Sequence, residues 1–255
     1  MAYSSNTNQN SDFIKIWNPY TGDSISTSFQ TNGHTKPVRA LRYINATALA
    51  SGSDDNSIKI WDFNSGDCLL TIEVDTPRTQ VLSLERLSDR LLGSGLDNGK
   101  IKIWNIDNGV LVKNLEGHQD KVNALEMLHN GDLASGSDDN TIKIWNLSTF
   151  SLKYNLNAGG KVNCLKQLLN GHLASGQKGS DIKIWSLVTQ NFVATLDKHT
   201  KSVNDLEVLM NGDLASCSDD KLIKIWDANS YTFKHDLNLY SLPVNALEVV
   251  GEEVV

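Results

Sequence analysis

All six tryptophans of the chain stand in the same tetrapeptide, Ile-Lys-Ile-Trp, at Trp17, Trp61, Trp104, Trp145, Trp185 and Trp226. They are 44, 43, 41, 40 and 41 residues apart. Val38, Val81, Val122, Val162 and Val203 each lie 23 residues before a Trp, and Ser51, Ser94, Ser135, Ser175 and Ser216 each lie 10 before. Between these marks there are no insertions, so length varies only after the Trp. A period of about 40–45 residues is that of a propeller blade made of four short strands.

One unit shows the expected strands: Val122 to Met127, Leu133 to Ser137, Thr141 to Asn146 and Ser151 to Leu156. Asn130-Gly131-Asp132 and Asp138-Asp139-Asn140 supply the turn chemistry between the first three. In the third strand, Ile142 and Ile144 fall on one face and Lys143 and Trp145 on the other. The lysine stem is expected to lie along a neighbouring blade with its ammonium in water. From Trp226 to the last residue is 29 residues and from the first residue to Trp17 is 17, which leaves a wrap-around interval of 46. Head and tail are therefore expected to build one sheet together, which removes two exposed strand edges. Val244 to Val249 would be its first strand, Ile14 to Trp17 its third and Ile25 to Phe29 its fourth. Either Glu253 to Val255, the preferred choice, or Ala2 to Ser5 would be its second.

Segments such as Gly131 to Asn146, GDLASGSDDNTIKIWN, resemble the WD40 repeat family, and the likeness runs from residue 11 to about 250. The Trp-Asp dipeptide itself survives at Trp61-Asp62 and Trp226-Asp227, with Asn or Ser after the other four Trp. The expected architecture is all-β: a polar segment over residues 1–10, then one six-bladed WD40-type β-propeller over 11–255. It would have four antiparallel strands per blade, the last blade closed by N- and C-terminal strands. Either the ring is complete with six blades, or the sequence is a piece of a longer array.

Three units carry His 27, Ser 10 and Asp 6 residues before the Trp. The sets are His34, Ser51, Asp55, Trp61; His118, Ser135, Asp139, Trp145; and His199, Ser216, Asp220, Trp226. A hydrolase triad is needed once per active site, whereas this set recurs with a Trp attached. One indole donor, a serine hydroxyl, a neutral imidazole and a carboxylate can satisfy one another. The resemblance implies that they form a structural hydrogen-bonded chain in each blade. The unit of Trp104 has Pro77 and Asn98 at the His and Asp places, that of Trp185 has Ala158 and Gly179, and the closing blade has Tyr240 and Ser11.

No catalytic residue, metal site or cofactor is expected. The Asp-Asp-Asn runs lack the spaced ligands and final Glu of a calcium loop, and no phosphate-binding glycine loop is present. Cys68, Cys164 and Cys217 have no CxxC spacing and read as small apolar residues. With 23 Lys and Arg against 30 Asp and Glu, the net charge of −7 disfavours nucleic acid as a partner. No apolar run is long enough for a membrane span and the polar start is unlike a secretory signal, so a cytoplasmic or nuclear, non-secreted protein is expected.

In related propellers the loops before the first strand and between the second and third share one rim. Here they bring Lys36, Arg39, Arg78, Lys121, Lys161 and Lys201. The residue after the first-strand Val reads Arg39, Leu82, Asn123, Asn163, Asn204 and Asn245. These asparagines serve either turn and channel solvation or a polar recognition ring. Arg39, Leu82 and Tyr240 break the repeat, which makes them candidates for partner contact. The expected role is a non-catalytic scaffold for protein or peptide partners, including an acidic or phosphorylated segment, within a larger complex. The alternative is a propeller hydrolase or lactonase with a site at the channel mouth, for which Asp205 is the lone acidic residue early in a first strand.

Overall fold

The computed structural model describes residues 2–5, 13–16, 33–62, 64–74, 78–237 and 242–247. It is all-β, with five four-stranded antiparallel sheets and one two-stranded sheet among the described residues. The pair is β1 (Ala2–Ser5) with β2 (Phe13–Ile16). The first full sheet is β3 (Val38–Asn45), β4 (Ala48–Ser53), β5 (Ser57–Asp62) and β6 (Cys68–Glu73). The second is β7 (Val81–Arg86), β8 (Leu91–Leu96), β9 (Ile101–Asn105) and β10 (Leu111–Leu115). The third is β11 (Val122–Met127), β12 (Asp132–Ser137), β13 (Thr141–Asn146) and β14 (Ser151–Asn157). The fourth is β15 (Val162–Gln167), β16 (Leu173–Gln177), β17 (Ile182–Ser186) and β18 (Asn191–Leu196). The fifth is β19 (Val203–Val208), β20 (Leu214–Ser218), β21 (Ile223–Asp227) and β22 (Thr232–Leu237). In each, the strands lie side by side in chain order, as hairpin connections require. The chain divides into two compact units, 1–125 and 126–255.

In the four-stranded sheets the second and third strands are buried along both faces, whereas the fourth strand is mostly exposed. In the first unit, Ile58, Ile60 and Ile72 of one sheet share a core with Val81, Leu84, Leu92 and Trp104 of the next. In the second unit, Ile182, Ile184 and Leu196 do so with Val203, Leu206, Leu214 and Trp226. Glycine in the second strand permits this close approach. A Cβ on Gly52 would lie 2.4 Å from Val81 Cγ1, and one on Gly136 2.4 Å from Val162 Cγ1.

The repeated lysine departs from expectation. Lys59, Lys102, Lys143 and Lys224 are buried, and their ammonium groups are hydrogen-bonded inside the protein. In the units with His and Asp, the ammonium donates to the fourth-strand residue paired with the lysine: Thr71 (2.9 Å), Asn155 (2.9 Å) or Asp236 (2.7 Å). In the two units lacking them it donates to a backbone carbonyl just past the previous sheet, that of Val74 (2.8 Å) or Ala158 (2.6 Å). A buried ammonium must be partnered, and cross-strand geometry provides the partner where water does not reach.

The termini bear on another expectation. β1 pairs with β2 in the register Ala2↔Ile16, Tyr3↔Lys15, Ser4↔Ile14, which reproduces Ala50↔Ile60, Ser51↔Lys59, Gly52↔Ile58 of the first full sheet. Ala2 to Ser5 thus has the pairing of a second strand; the preferred candidate, Glu253 to Val255, lies outside the described residues. β1 also lies beside β3, as β4 lies beside β7. Val244 to Leu247 is described and forms no strand, while Trp17, Ile25 to Phe29, Tyr240 and Val249 lie outside the described residues.

Candidate functional site

Two of the four-residue sets are resolved atom by atom. Trp61 Nε1 donates to Ser51 Oγ at 2.7 Å, the hydroxyl meets His34 Nε2 at 2.7 Å, and His34 Nδ1 reaches Asp55 at 2.9 Å. In the fifth sheet, Trp226 to Ser216, Ser216 to His199 and His199 to Asp220 are each 2.8 Å. With its proton on Nδ1, each imidazole donates to the carboxylate and accepts from the serine. In the third set, Trp145 donates to Ser135 at 2.8 Å and His118 is buried. Ser51, Ser135 and Ser216 have no exposed surface, so no substrate reaches their hydroxyls. Trp104 and Trp185 retain the serine bond, to Ser94 and Ser175, each at 2.9 Å.

Burial by itself would raise the Asp55 carboxyl, but His34, Ser57 and the Thr35 N–H all bond to it and together hold it well below the usual range. Asp220 is lowered against its own burial by the Thr200 N–H and His199. Burial lowers His199, and its bond to Asp220 offsets this only in part.

Within a sheet, the loop before the first strand and the turn between the second and third are tied by backbone bonds. The N–H of a turn residue between the second and third strands donates to a carbonyl just before the first: Asp54 to Pro37 (3.0 Å), Asp97 to Gln80 (3.1 Å), Lys178 to Lys161 (2.9 Å) and Asp219 to Ser202 (3.1 Å). The Lys36 and Lys201 carbonyls are further held by Ser53 and Ser218. Lys36, Arg39, Arg78, Lys121, Lys161 and Lys201 are exposed. Arg39 forks onto Asp54 through Nε and Nη2, and Asp138 takes both Lys161 (3.4 Å) and Lys178 (2.8 Å). Within each compact unit these loops bring cations and carboxylates together, Arg39 with Asp54 in one and Lys161 and Lys178 with Asp138 in the other.

Strand register explains the position after the first-strand Val. A bulge skips Arg39, Leu82, Asn163 and Asn204 in β3, β7, β15 and β19. A bulged residue is turned out of the pleat and re-aimed. Asn163 donates across to the Val203 carbonyl at 2.9 Å, and Asn204 to that of Val244 at 3.0 Å. The first amide stitches β15 to β19, and the second ties β19 to the segment that begins at Val244. Leu82 and Asn123 are half-buried and Asn245 is exposed; Tyr240 lies outside the described residues.

Two features went unread in the sequence. Asp132 and Asp213, 13 residues before a Trp, pair with Lys153 and Lys234 in their own sheets, each at 2.7 Å. The fourth sheet has His172 and Val193 at those places, and His172 turns instead to the Tyr231 hydroxyl, which Asn170 also reaches at 3.2 Å. Aligning the repeats shows the joint loss of Asp and Lys. The second is the bond that Leu247 N–H donates to Asp205 Oδ2 at 2.9 Å, which the place of Asp205 in a first strand did not announce. Among the described residues no group of three or more His, Cys, Asp or Glu is placed to hold a metal, and no helix is long and apolar enough to cross a membrane. The three cysteines are free thiols, Cys164 and Cys217 buried and Cys68 half-buried.

A family model described as WD domain, G-beta repeat matches residues 25–62, 109–146 and 190–227. The chain contains WD40 repeats. The three matched WD40 segments are those that carry both His and Asp; the units of Trp104 and Trp185, which have neither, are unmatched, as is that of Trp17. The chain is 35% identical to pre-mRNA-processing factor 17 of Saccharomyces cerevisiae over 75 residues, 29% of this chain and 16% of that protein. It is 33% identical to coatomer subunit beta'-1 of Arabidopsis thaliana over 73 residues, 28% of this chain and 8% of the relative. It is 36% identical to nuclear distribution protein PAC1 of Arthroderma benhamiae over 72 residues, 25% of this chain and 15% of the relative. The match therefore spans less than a fifth of each relative. The crystal structure of the computationally designed Ika8 protein is similar with a TM-score of 0.76 at 26% identity, over 98% of this chain and 75% of that one.

Proposed function

We propose that this WD40-repeat chain is a non-catalytic platform for protein or peptide partners, working in the cytoplasm or nucleus as part of a larger assembly. Its scaffold is a six-bladed ring whose last blade draws on both termini, with β1 and β2 as the second and third strands. Relatives named for pre-mRNA processing, coatomer and nuclear distribution support the general role. The observation that carries the reading is the division of labour among polar residues. The His–Ser–Asp sets are consumed in holding buried indoles, while Lys36, Lys161 and Lys201 stand exposed on loops fixed by backbone hydrogen bonds, with Arg39 exposed at the bulge of β3 and Lys121 before β11. Fixed loops lose little entropy on binding.

An acidic or phosphorylated segment is the partner class that suits this rim, since it can displace the Asp54 carboxylate from Arg39 and the Asp138 carboxylate from Lys161. Asn123, Arg78, Leu82, Asn245 and Tyr240 complete the proposed contact set. Partners recovered by affinity capture and identified by mass spectrometry would be titrated against Arg39→Ala, Lys121→Ala and Lys161→Ala proteins. At least one substitution is expected to weaken binding tenfold or more, about 1.4 kcal/mol, with the melting temperature unchanged. Affinity unaltered across all three would remove the rim from consideration.

A further inference from the structure

The fifth sheet departs from the repeat at two residues that face each other. Nine residues before the Trp, β4, β8, β12 and β16 carry Gly52, Gly95, Gly136 and Gly176, but β20 carries Cys217. The glycine is the socket into which the next first-strand valine seats; a Cβ on Gly176 would lie 2.7 Å from Val203 Cγ1. At Cys217 the socket is filled. Its register partner in β19 is Asp205, where the other first strands have Ala40, Ser83, Ala124 and Cys164.

Against this altered seam lies the segment Val244 to Leu247. Its Val244 and Leu247 side chains pack on Ala215, Cys217, Ile223 and Ile225. Three hydrogen bonds hold its backbone: Val244 N to the Ser218 carbonyl (3.3 Å), the Asn204 amide to the Val244 carbonyl (3.0 Å), and Leu247 N to Asp205 Oδ2 (2.9 Å). The Asn204 bond repeats the stitch of Asn163. The Asp205 bond has a different character, because Ser83 at the same place donates to the next strand, through the Val122 carbonyl.

We propose that Asp205 makes the docking of Val244 to Leu247 on the fifth sheet a pH-sensitive latch, tight in mildly acidic solution and loosened as its carboxyl ionises. The residue retains some exposed surface, yet desolvation of the carboxyl outweighs the Leu247 and Leu206 N–H bonds and raises its pKa from 3.8 to about 6. Lifting the segment would open the carboxyl to water, where an aspartate has its ordinary value of 3.8. The docked form therefore holds its proton to higher pH than the lifted form, so docking is favoured below about 6 and weakened as pH rises through that value.

The other ionisable groups around Asp205 are paired elsewhere or held neutral. Glu207 and Lys166 pair at 2.9 Å, raising and lowering Asp205 respectively. Burial pushes the Cys217 thiol up to about 12 and the Cys164 thiol well above its usual value, so both stay neutral. Asp219 accepts from the Asn204 amide, Asp220 is bound to His199, and Leu242 to Leu247 brings no ionisable side chain.

Amide hydrogen exchange of the full chain, corrected for intrinsic rates, tests this at about pH 5 and about pH 7.5. Protection of the Leu247 amide is expected to fall about tenfold across that interval, while the Ile184 amide in β17 stays level. The Asp205→Asn protein keeps an acceptor for Leu247 N–H without a proton to lose, so its Leu247 protection should be high at both values. Equal wild-type protection at both pH values, a parallel fall at Ile184, or an Asp205→Asn protein with the same pH dependence as wild type would each overturn the latch.

Discussion

A buried indole must give its one N–H to something, and in this chain every described tryptophan gives it to the serine ten residues earlier. What varies is whether that serine is backed by an imidazole and a carboxylate. Where it is, removing the carboxylate takes away the imidazole's charged acceptor. Asp55→Ala is therefore expected to cost about 1–3 kcal/mol in chemical denaturation. Asp54→Ala should cost less, about 0–1 kcal/mol, because its partner Arg39 has a side chain 48% exposed and water takes over. Equal losses would show that Asp55 does not support the indole. These sets were legible in the sequence because their spacing is invariant. The lysine was not: Ile-Lys-Ile-Trp reads as one exposed cation among apolar neighbours, and only a second sheet lying over it reveals that its ammonium needs a protein acceptor.

At the scale of strands, turn residues and period two placed the four strands of the third sheet to within a residue, Leu133 to Ser137 being realised as Asp132–Ser137, whereas Val244 to Leu247, expected in a first strand, forms none. The bulges were invisible, since a bulge is a relation between two strands and leaves no mark on one. It is the bulge that aims Arg39 at Asp54 and Asn163 at Val203. The glycines of the second strands are legible in retrospect as sockets. Gly52→Ala would force a methyl to 2.4 Å from Val81 Cγ1 and is expected to cost about 1–3 kcal/mol. Gly179→Ala, with open space around it, should stay within about 0.5 kcal/mol. Comparing the two urea midpoints checks the socket directly; similar midpoints would mean that the sheets separate at no cost.

For the molecule as a whole, pH acts through opposed contributions. His199 is lowered by burial, so the folded state resists its protonation and stability declines as pH falls below 6.5; the lowered Asp55 and Asp220 extend the decline below 3.8. Asp205, raised to about 6, works in the other direction and adds stability as pH falls through that value. Denaturation midpoints of the Asp205→Asn protein are therefore expected to drop more steeply than wild type between about pH 7 and pH 5, and parallel curves would contradict the assignment. The period announced the sheets, and Ala2 to Ser5 was weighed as a strand, but three or four polar residues at a terminus carry too little pattern to say what they pair with. The socket has a further consequence. Each repeat brings its own valine and its own glycine, so both halves of a joint travel together in one stretch of about forty codons. Recombination can splice in or delete whole units without inventing a new fit, and among the described joints Cys217 alone would refuse the insert.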